Sequence, residues 1–328
     1  MSTFSQTPNL IGVLSESQRI TSAHSPHFLA LSLLFLLPLA SSRVIYGIVQ
    51  FTFSQNNDVN YQFFRLSTST LHHLLPETLI FPLLFTFFVI FFSVCAIATI
   101  TYSTFHGFYG RPVRFVPTIR SISSSFLPLA STMMISQAII ALICTIFGLV
   151  VVLLYQGLQV LGVEIDYKSN CFIWICIFVA ILLGSTLIWL QLNWILASVI
   201  AVVESKWGIE PLRRSTQLTK GMRGTSLQIV LSGVFILAMI WEIYSPAMMM
   251  YRSRGFWSWG FFMLTFLPNS SIVVLMLWTV AESTVMYIYC KALNGESAIE
   301  MAKEFTGGYV SLPFNDDEKV HQVVQVQT

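Results

Sequence analysis

Apolar residues are concentrated in six long runs, which are separated by segments rich in Ser, Gly, Pro, Asn and charge. A helix needs about 20 mostly apolar residues to cross roughly 30 Å of hydrocarbon, because its backbone amides must be satisfied within the helix itself. The runs are continuously apolar, without the alternation typical of membrane β-barrel strands. They fall at 28–51, 79–102, 126–155, 172–203, 227–250 and 268–290.

This pattern predicts an all-α fold, a polytopic membrane bundle with about six transmembrane helices and short amphipathic cytoplasmic helices. Composition agrees, since 55% hydrophobic and 14% aromatic residues exceed what a soluble domain of 328 residues can bury. The third and fourth runs are longer than one span and too short for two. We therefore expect these two helices to tilt or to project beyond the bilayer.

Charge predicts the orientation of the chain. Most of the 17 Lys and Arg residues lie in the two tails and in the loops after spans two and four, and basic residues favour the cytoplasmic side. The predicted organisation is a cytoplasmic tail at 1–27, a membrane domain at 28–290 and a cytoplasmic tail at 291–328. The first run resembles a signal peptide, but it continues past Arg43, which favours an uncleaved anchor. The membrane is expected to belong to the endomembrane system or to be the plasma membrane.

The segment "ESKWGIEPLRRSTQLTKGMRG" at 204–224 carries five basic residues in a chain that is only 10% charged. Plotted at 100° per residue, it separates into an apolar and a polar arc, which predicts an amphipathic helix with its core at 211–220. Gly221 or Gly224 could supply a left-handed C-cap. The apolar arc holds Trp207, Ile209, Pro211, Leu212, Ser215, Leu218 and Met222; the polar arc holds Glu210, Arg213, Arg214, Gln217 and Lys220.

Two interpretations of this helix stay open at the level of sequence. In one, it lies in the headgroup plane and directs its cations at anionic lipid headgroups or a cytosolic adaptor. In the other, it packs against the ends of the spans, and its cations only satisfy the positive-inside bias. The lipid-facing or partner-facing candidates are Arg213, Arg214, Lys220 and Arg223.

Three ionisable residues lie within apolar runs: Arg43, Glu242 and Glu282. Such groups are costly in a bilayer unless they pair or face water. Arg43 and Glu242 each lie about 22 Å from the cytoplasmic start of their spans, so they could meet. The three residues are consistent either with a polar path for an ion or small solute or with structural ion pairs and interhelical hydrogen bonds.

Signatures of catalysis and metal binding are missing from the sequence. It contains no HExxH, G-x-S-x-G, Walker or dinucleotide motif. His73 and Glu77 are four residues apart, but Pro76 disfavours a helix through them and no third ligand is evident. We expect no metal, no cofactor, no nucleic-acid partner and no enzymatic activity. The sole N-x-[ST] sequon, at Asn269, falls in the predicted loop between spans five and six.

A family resemblance rests on short motifs. They are Glu204-x3-Gly208, Leu212, Arg214-Ser215, Leu218 and Lys220-Gly221, together with "FHGFYGRPVRF" and "YVSLPFNDDEKV". With these the chain resembles a family of uncharacterised plant multi-pass membrane proteins, and more distantly it is similar to the membrane domain beside some glycerophosphodiester phosphodiesterases. In that pattern an Ala commonly stands near the position of Pro211. The resemblance implies a membrane scaffold without a settled activity and transfers no catalytic residue.

Two functions are therefore expected as alternatives. The first is a noncatalytic endomembrane scaffold, or a trafficking or lipid-interacting protein, whose partners are the bilayer, anionic headgroups or a cytosolic adaptor. The second is a transporter or channel for a small solute or ion that uses Arg43, Glu242 and Glu282.

Overall fold

A computed structural model describes residues 10–58, 68–160, 170–254 and 259–294. The described chain is all α, 93% helical and without strands. Within these residues, six helical segments are long and apolar enough to cross a membrane: Ser25–Val49, Phe81–Phe108, Phe115–Gly157, Phe172–Val203, Glu210–Met239 and Thr265–Leu293. The predicted all-α fold with six candidate spans is confirmed, and the chain is a multi-pass membrane protein.

Ten α-helices build the described chain. They are α1 (Leu10–Ala23), α2 (Ser25–Leu31), α3 (Leu37–Asp58), α4 (Thr68–Phe108), α5 (Phe115–Val160), α6 (Asn170–Trp194), α7 (Ala197–Val203), α8 (Glu210–Leu218), α9 (Arg223–Arg254) and α10 (Trp259–Leu293). A π-helical turn, Ser32–Leu36, joins α2 to α3, and a 3₁₀ turn, Thr219–Met222, joins α8 to α9.

The helices form two compact units. The first contains Leu10 and Ser124–Ile272, and the second contains Ile11–Ser123 and the chain from Val273 onward. Helix α5 spans 46 residues, about 69 Å at 1.5 Å per residue, which is more than twice the hydrocarbon thickness. A helix of this length is compatible with both expectations for the third span, tilt within the bilayer or projection beyond it.

In the second unit, α2 and α3 pack antiparallel to α4. Nε2 of His27 and Oγ of Ser103 share a hydrogen bond of 3.0 Å, and the rings of Tyr46 and Phe85 lie 4.5 Å apart between centroids. From the first of these contacts to the second, the residue number increases along α2 and α3 and decreases along α4 by a similar amount. The helices are therefore antiparallel, and the two contacts fix their register.

The core of the second unit is formed by helix stretches that are buried on nearly every face. Residues 94–106 of α4 and 281–291 of α10 are almost entirely buried. Both stretches are rich in Ala, Ser, Thr and Cys, and such small side chains let helices approach closely where lipid supplies no hydrophobic drive.

The boundaries of the predicted tails differ from the structure. The predicted tail 1–27 contains α1, whose Val13, Ser17 and Ile20 are buried, so its second half is part of the fold. Lys291, predicted to start the second tail, is 2% exposed within α10. The rest of that tail, 295–328, lies outside the described residues.

Three local predictions were wrong. Helix α4 runs through Pro76, where a break was expected; the side chains of His73 and Glu77 lie outside the described set. Asn269 of the sequon lies inside α10 rather than in a loop. Gly221 and Gly224 do not cap α8 in a left-handed conformation, because the positive-φ glycines of the described chain are Gly110 and Gly208.

Candidate functional site

The segment 204–223, here called the basic segment, links α7 to α9 in the first unit. Helix α8 begins at Glu210, with Pro211 in its first turn, where proline's missing amide hydrogen costs no intrahelical bond. Its buried residues are Pro211, Leu212, Ser215 and Leu218, and it packs against α6 and α7. The apolar face of α8 is therefore covered by protein, as the packing interpretation expects, and only the opposite face of the helix is available to headgroups or a partner.

Ser215 fixes α8 to a break in the fourth span. Helix α6 ends at Trp194 and α7 begins at Ala197, which leaves backbone groups without partners in their own helix. The Ser215 hydroxyl donates to the carbonyl oxygen of Asn193 at 2.6 Å and accepts from the amide of Leu196 at 3.3 Å. Ser215 is fully buried. A single side chain thus satisfies both sides of the break.

Asn193 makes a side-chain hydrogen bond within α6 close to the break. Its Nδ2 donates to the carbonyl oxygen of Trp189 at 2.7 Å, which is the acceptor that a regular helix would reserve for the Asn193 amide. Asn side chains compete with the backbone in this way. The side chain of Asn193 therefore bonds within α6, while its carbonyl oxygen accepts from Ser215 of α8.

A buried carboxylate organises the loop before α8. The Glu204 side chain is 4% exposed and lies 3.4 Å from Nζ of Lys206 and 3.7 Å from Nε of Arg214. Lys206 also pairs with Glu210 at 3.1 Å. Burial lowers the pKa of Lys206, but its pairs with Glu210 and Glu204 outweigh that effect and raise the pKa above its usual value.

These contacts correct one predicted site residue. Arg214 was expected to face lipid or a partner, but it is half-buried and pairs with Glu204. The physical reason is that Glu204 is buried at the end of α7 and needs positive charge nearby, because an isolated buried carboxylate is costly.

The loop itself depends on left-handed backbone. Ser205 has φ 51° and Gly208 has φ 67°. The amide of Gly208 donates to Oγ of Ser131 on α5 at 3.3 Å, and a Cβ built on Gly208 lies 3.1 Å from Cδ1 of Ile135. Glycine suits this position for two reasons, its backbone conformation and its closeness to α5.

The outer side of the basic segment is cationic and partly apolar. Arg213, Lys220 and Arg223 are exposed. Trp207 and Ile209, which the sequence had placed on the buried arc, are 56% and 50% exposed. The segment therefore exposes three cations, an indole and an aliphatic side chain, and its helix α8 is fixed by Ser215 and by the pair of Arg214 with Glu204.

The three intramembrane candidates lie in different environments. Arg43 on α3 is exposed and belongs to the second unit, whereas Glu242 on α9 is exposed and belongs to the first. Their meeting stays a prediction. Glu282 on α10 is 8% exposed in the second unit, which makes it the one buried member of the set.

Sequence reasoning missed several buried or half-buried polar side chains at one end of the second unit. Two of them are His27 and Ser103, which share a hydrogen bond. A third is Lys291, which is buried and whose Nζ lies 5.8 Å from the centroid of the Tyr287 ring. Burial also raises the pKa of Tyr109, just beyond α4, to about 12. The stretch "ATITYSTFH" at 98–106 was the available signal, because such a density of hydroxyls is unusual for a lipid-facing span.

Clusters of the side chains that usually ligate metal ions were sought among the described residues. No group of three or more His, Cys, Asp or Glu side chains in them is arranged to hold a metal ion.

Comparison with known proteins places the chain in one family. The family described as "Domain of unknown function (DUF8558)" matches residues 6–322, nearly the whole sequence, and the chain belongs to that family. Searches of the curated proteins and of the solved structures found no match.

Proposed function

We propose that this member of the DUF8558 family is a noncatalytic multi-pass scaffold that holds its basic segment against anionic lipid headgroups on the cytoplasmic face. The observation that supports this most directly is the exposure of Arg213, Lys220 and Arg223 beside Trp207 and Ile209. Indole rings favour the level of the headgroups, and Lys and Arg side chains reach from there to phosphate and carboxylate groups.

The expected free energy of headgroup binding is large enough to give a measurable lipid preference. Each basic residue near an anionic bilayer surface contributes about 1 kcal/mol. Three such residues therefore shift a lipid-exchange equilibrium by roughly 100-fold. Since Ser215 and the Glu204 pairs already fix α8, binding requires little further ordering of the segment, and less of the gain is lost to entropy.

Orientation and compartment are part of the proposal. The positive-inside bias supports placing both termini and the basic segment in the cytoplasm. The cytoplasmic leaflets of endomembranes and of the plasma membrane carry anionic lipids. The similarity to plant multi-pass proteins and to the membrane domain beside glycerophosphodiester phosphodiesterases agrees with a lipid-associated role and stays a proposal.

The test compares lipid retention by the full chain. Protein is reconstituted in mixed phosphatidylcholine and phosphatidylserine vesicles, extracted in mild detergent, and its bound lipid is quantified by mass spectrometry. Wild type should retain phosphatidylserine in preference to phosphatidylcholine, and higher salt should weaken that preference. The triple change Arg213→Gln, Lys220→Gln, Arg223→Gln should remove it.

Two comparisons make this result specific. The double change Arg213→Lys, Arg223→Lys keeps the charge and should keep the preference, since headgroup attraction depends mainly on charge. A triple variant that folds and retains phosphatidylserine as wild type does would contradict the proposal. Unchanged lipid retention with loss of a cytosolic partner would replace lipid by an adaptor as the ligand.

A second candidate function, passage of an ion or small solute, is favoured by one observation. Glu282 is buried within a candidate span, where ionisable groups mark ion or proton pathways more often than elsewhere. Substituting Glu282→Gln should then alter flux in reconstituted vesicles while leaving expression intact, and an unchanged flux would exclude this candidate.

A further inference from the structure

Two threonines of α4 differ from the other buried threonines around them. Thr99 donates its hydroxyl to the carbonyl oxygen of Cys95 at 2.8 Å, the usual bond of a helical threonine. Thr101 and Thr104 are fully buried, and their hydroxyls have no hydrogen-bond partner among the described residues. Buried hydroxyls without partners are uncommon, and each one needs a physical explanation.

Glu282 is the third unusual group in the same unit. Glu282 on α10 is 8% exposed, and it makes no ion pair or hydrogen bond among the described residues. The basic residue nearest to it along α10, Lys291, is about 13.5 Å further along the helix. A buried carboxylate of this kind requires either neutralisation or a bound cation.

One contact between the two helices, extended by helix geometry, puts these groups at the same level. The rings of Phe108 on α4 and Tyr289 on α10 lie 6.0 Å apart between centroids. Spans two and six run in the same direction, because consecutive spans alternate. On each helix, the residue seven positions before this contact lies two helical turns away. It therefore lies on nearly the same face of the helix, about 10.5 Å deeper in the membrane. That position is Thr101 on α4 and Glu282 on α10.

The burial pattern agrees with a parallel register. If α10 ran antiparallel to α4 from the same contact, residues 281–288 would extend past the end of α4 at Phe108. Those residues are buried throughout. Thr104 lies one turn from Thr101 on the same side of α4, so both hydroxyls flank the level of the carboxylate.

A third hydroxyl lies on the neighbouring element. Ser32 begins the π-helical turn that packs against α4, and its buried Oγ also has no hydrogen-bond partner among the described residues. The hydrogen bond between His27 and Ser103 fixes the antiparallel register of this element against α4. In that register, Ser32 lies within about one helical turn of Thr101 along the axis of α4. Single π-helical turns within helices are frequent at functional sites.

We infer that the second unit contains an intramembrane site for Na⁺, formed by the Glu282 carboxylate with the hydroxyl oxygens of Thr101 and Thr104, and bordered by Ser32. Carboxylate and hydroxyl oxygens are hard ligands, which suit hard cations rather than soft metals. One carboxylate supplies a single negative charge, so a monovalent cation neutralises the site and a divalent one leaves excess charge in a low-dielectric interior. This inference does not depend on the proposed lipid-binding function.

The first test is the stability and ion binding of the full chain, purified in neutral detergent. Wild type should bind ²²Na⁺ saturably, and replacing choline by Na⁺ at constant ionic strength should raise its unfolding midpoint by about 3 °C or more at saturation. Glu282→Gln should abolish both effects, because it removes the charge while keeping the size of the side chain.

Hydroxyl variants make the test independent of the acidic residue. Thr101→Val should weaken Na⁺ binding by about tenfold or more, while Thr99→Val, whose hydroxyl is bonded within its own helix, should bind Na⁺ as wild type does. If Glu282→Gln does not fold, this pair decides the question. Equal Na⁺ binding by the two valine variants, or a wild type without any Na⁺ response, would overturn the inference. Because no anionic lipid is present, the result is separate from that of the lipid-retention experiment.

Discussion

Ser215 shows how one side chain can determine the path of a membrane-spanning helix. Its hydroxyl donates to Asn193 and accepts from Leu196 at the break between α6 and α7, in a fully buried position. Backbone groups without partners are costly at membrane depth, where irregular backbone is tolerated only when the protein satisfies it. The amphipathic helix α8 therefore completes the fourth span as well as following it.

Replacing Ser215 by Ala should destabilise the protein by about 1–3 kcal/mol, because it leaves a buried carbonyl and a buried amide without their partner. The unfolding midpoint of the purified chain measures this change. Thr216→Ala on the same helix is the matched control, since its hydroxyl bonds only to Leu212 of its own helix. Equal midpoints for the two variants would show that Ser215 does not support the break.

At the scale of elements, the loop between α7 and α8 is held by its backbone as much as by its ion pairs. Gly208 adopts φ 67°, and its amide bonds to Ser131 on α5. Gly221, in the 3₁₀ turn after α8, has no positive φ, and a Cβ built on it meets no atom within 4 Å. The two glycines of one segment thus have opposite requirements.

The substitution Gly208→Ala should cost about 1–2 kcal/mol, the strain of left-handed backbone in an L-residue, with a further cost from contact with Ile135. Gly221→Ala should be neutral or stabilising by a few tenths of a kcal/mol, since alanine restricts the unfolded chain. Thermal unfolding of both variants tests this. Greater damage from Gly221→Ala than from Gly208→Ala would contradict the loop described here.

The sequence was informative where one physical rule sufficed. Spans were predictable because an apolar run of sufficient length has few alternatives in a chain this hydrophobic. The apolar arc of α8 was also predictable, since Leu212, Ser215 and Leu218 share a face. What covers that arc was not, because lipid and protein satisfy apolar side chains equally well.

Features that depend on partners distant in sequence escaped prediction. The pairing of Arg214 with Glu204 depends on a loop that folds back, and charge counting treats both residues as surface groups. The break after Trp194 lies inside a continuous apolar run, so hydropathy does not reveal it. Trp207 and Ile209 fit the apolar arc by angle but precede the helix, where the angular rule does not hold.

At the scale of the whole molecule, the account depends on six spans and on one side for both termini and the basic segment. An even number of crossings returns the chain to the side where it began. If each candidate span crosses the membrane once, the segment 204–223 and the C-terminus both lie on the side of the N-terminus. The proposed lipid contact requires that side to be cytoplasmic, which the positive-inside bias favours.

Accessibility mapping in intact and permeabilised cells tests this arrangement most directly. A cysteine introduced at exposed Gln217, in a chain whose native cysteines are replaced, and an epitope tag after Thr328 are each probed with impermeant reagents. Both should react only after the plasma membrane is selectively permeabilised, with internal membranes left intact. Labelling of position 217 and of the tag from opposite faces of the membrane would contradict the six-span arrangement and the function proposed from it.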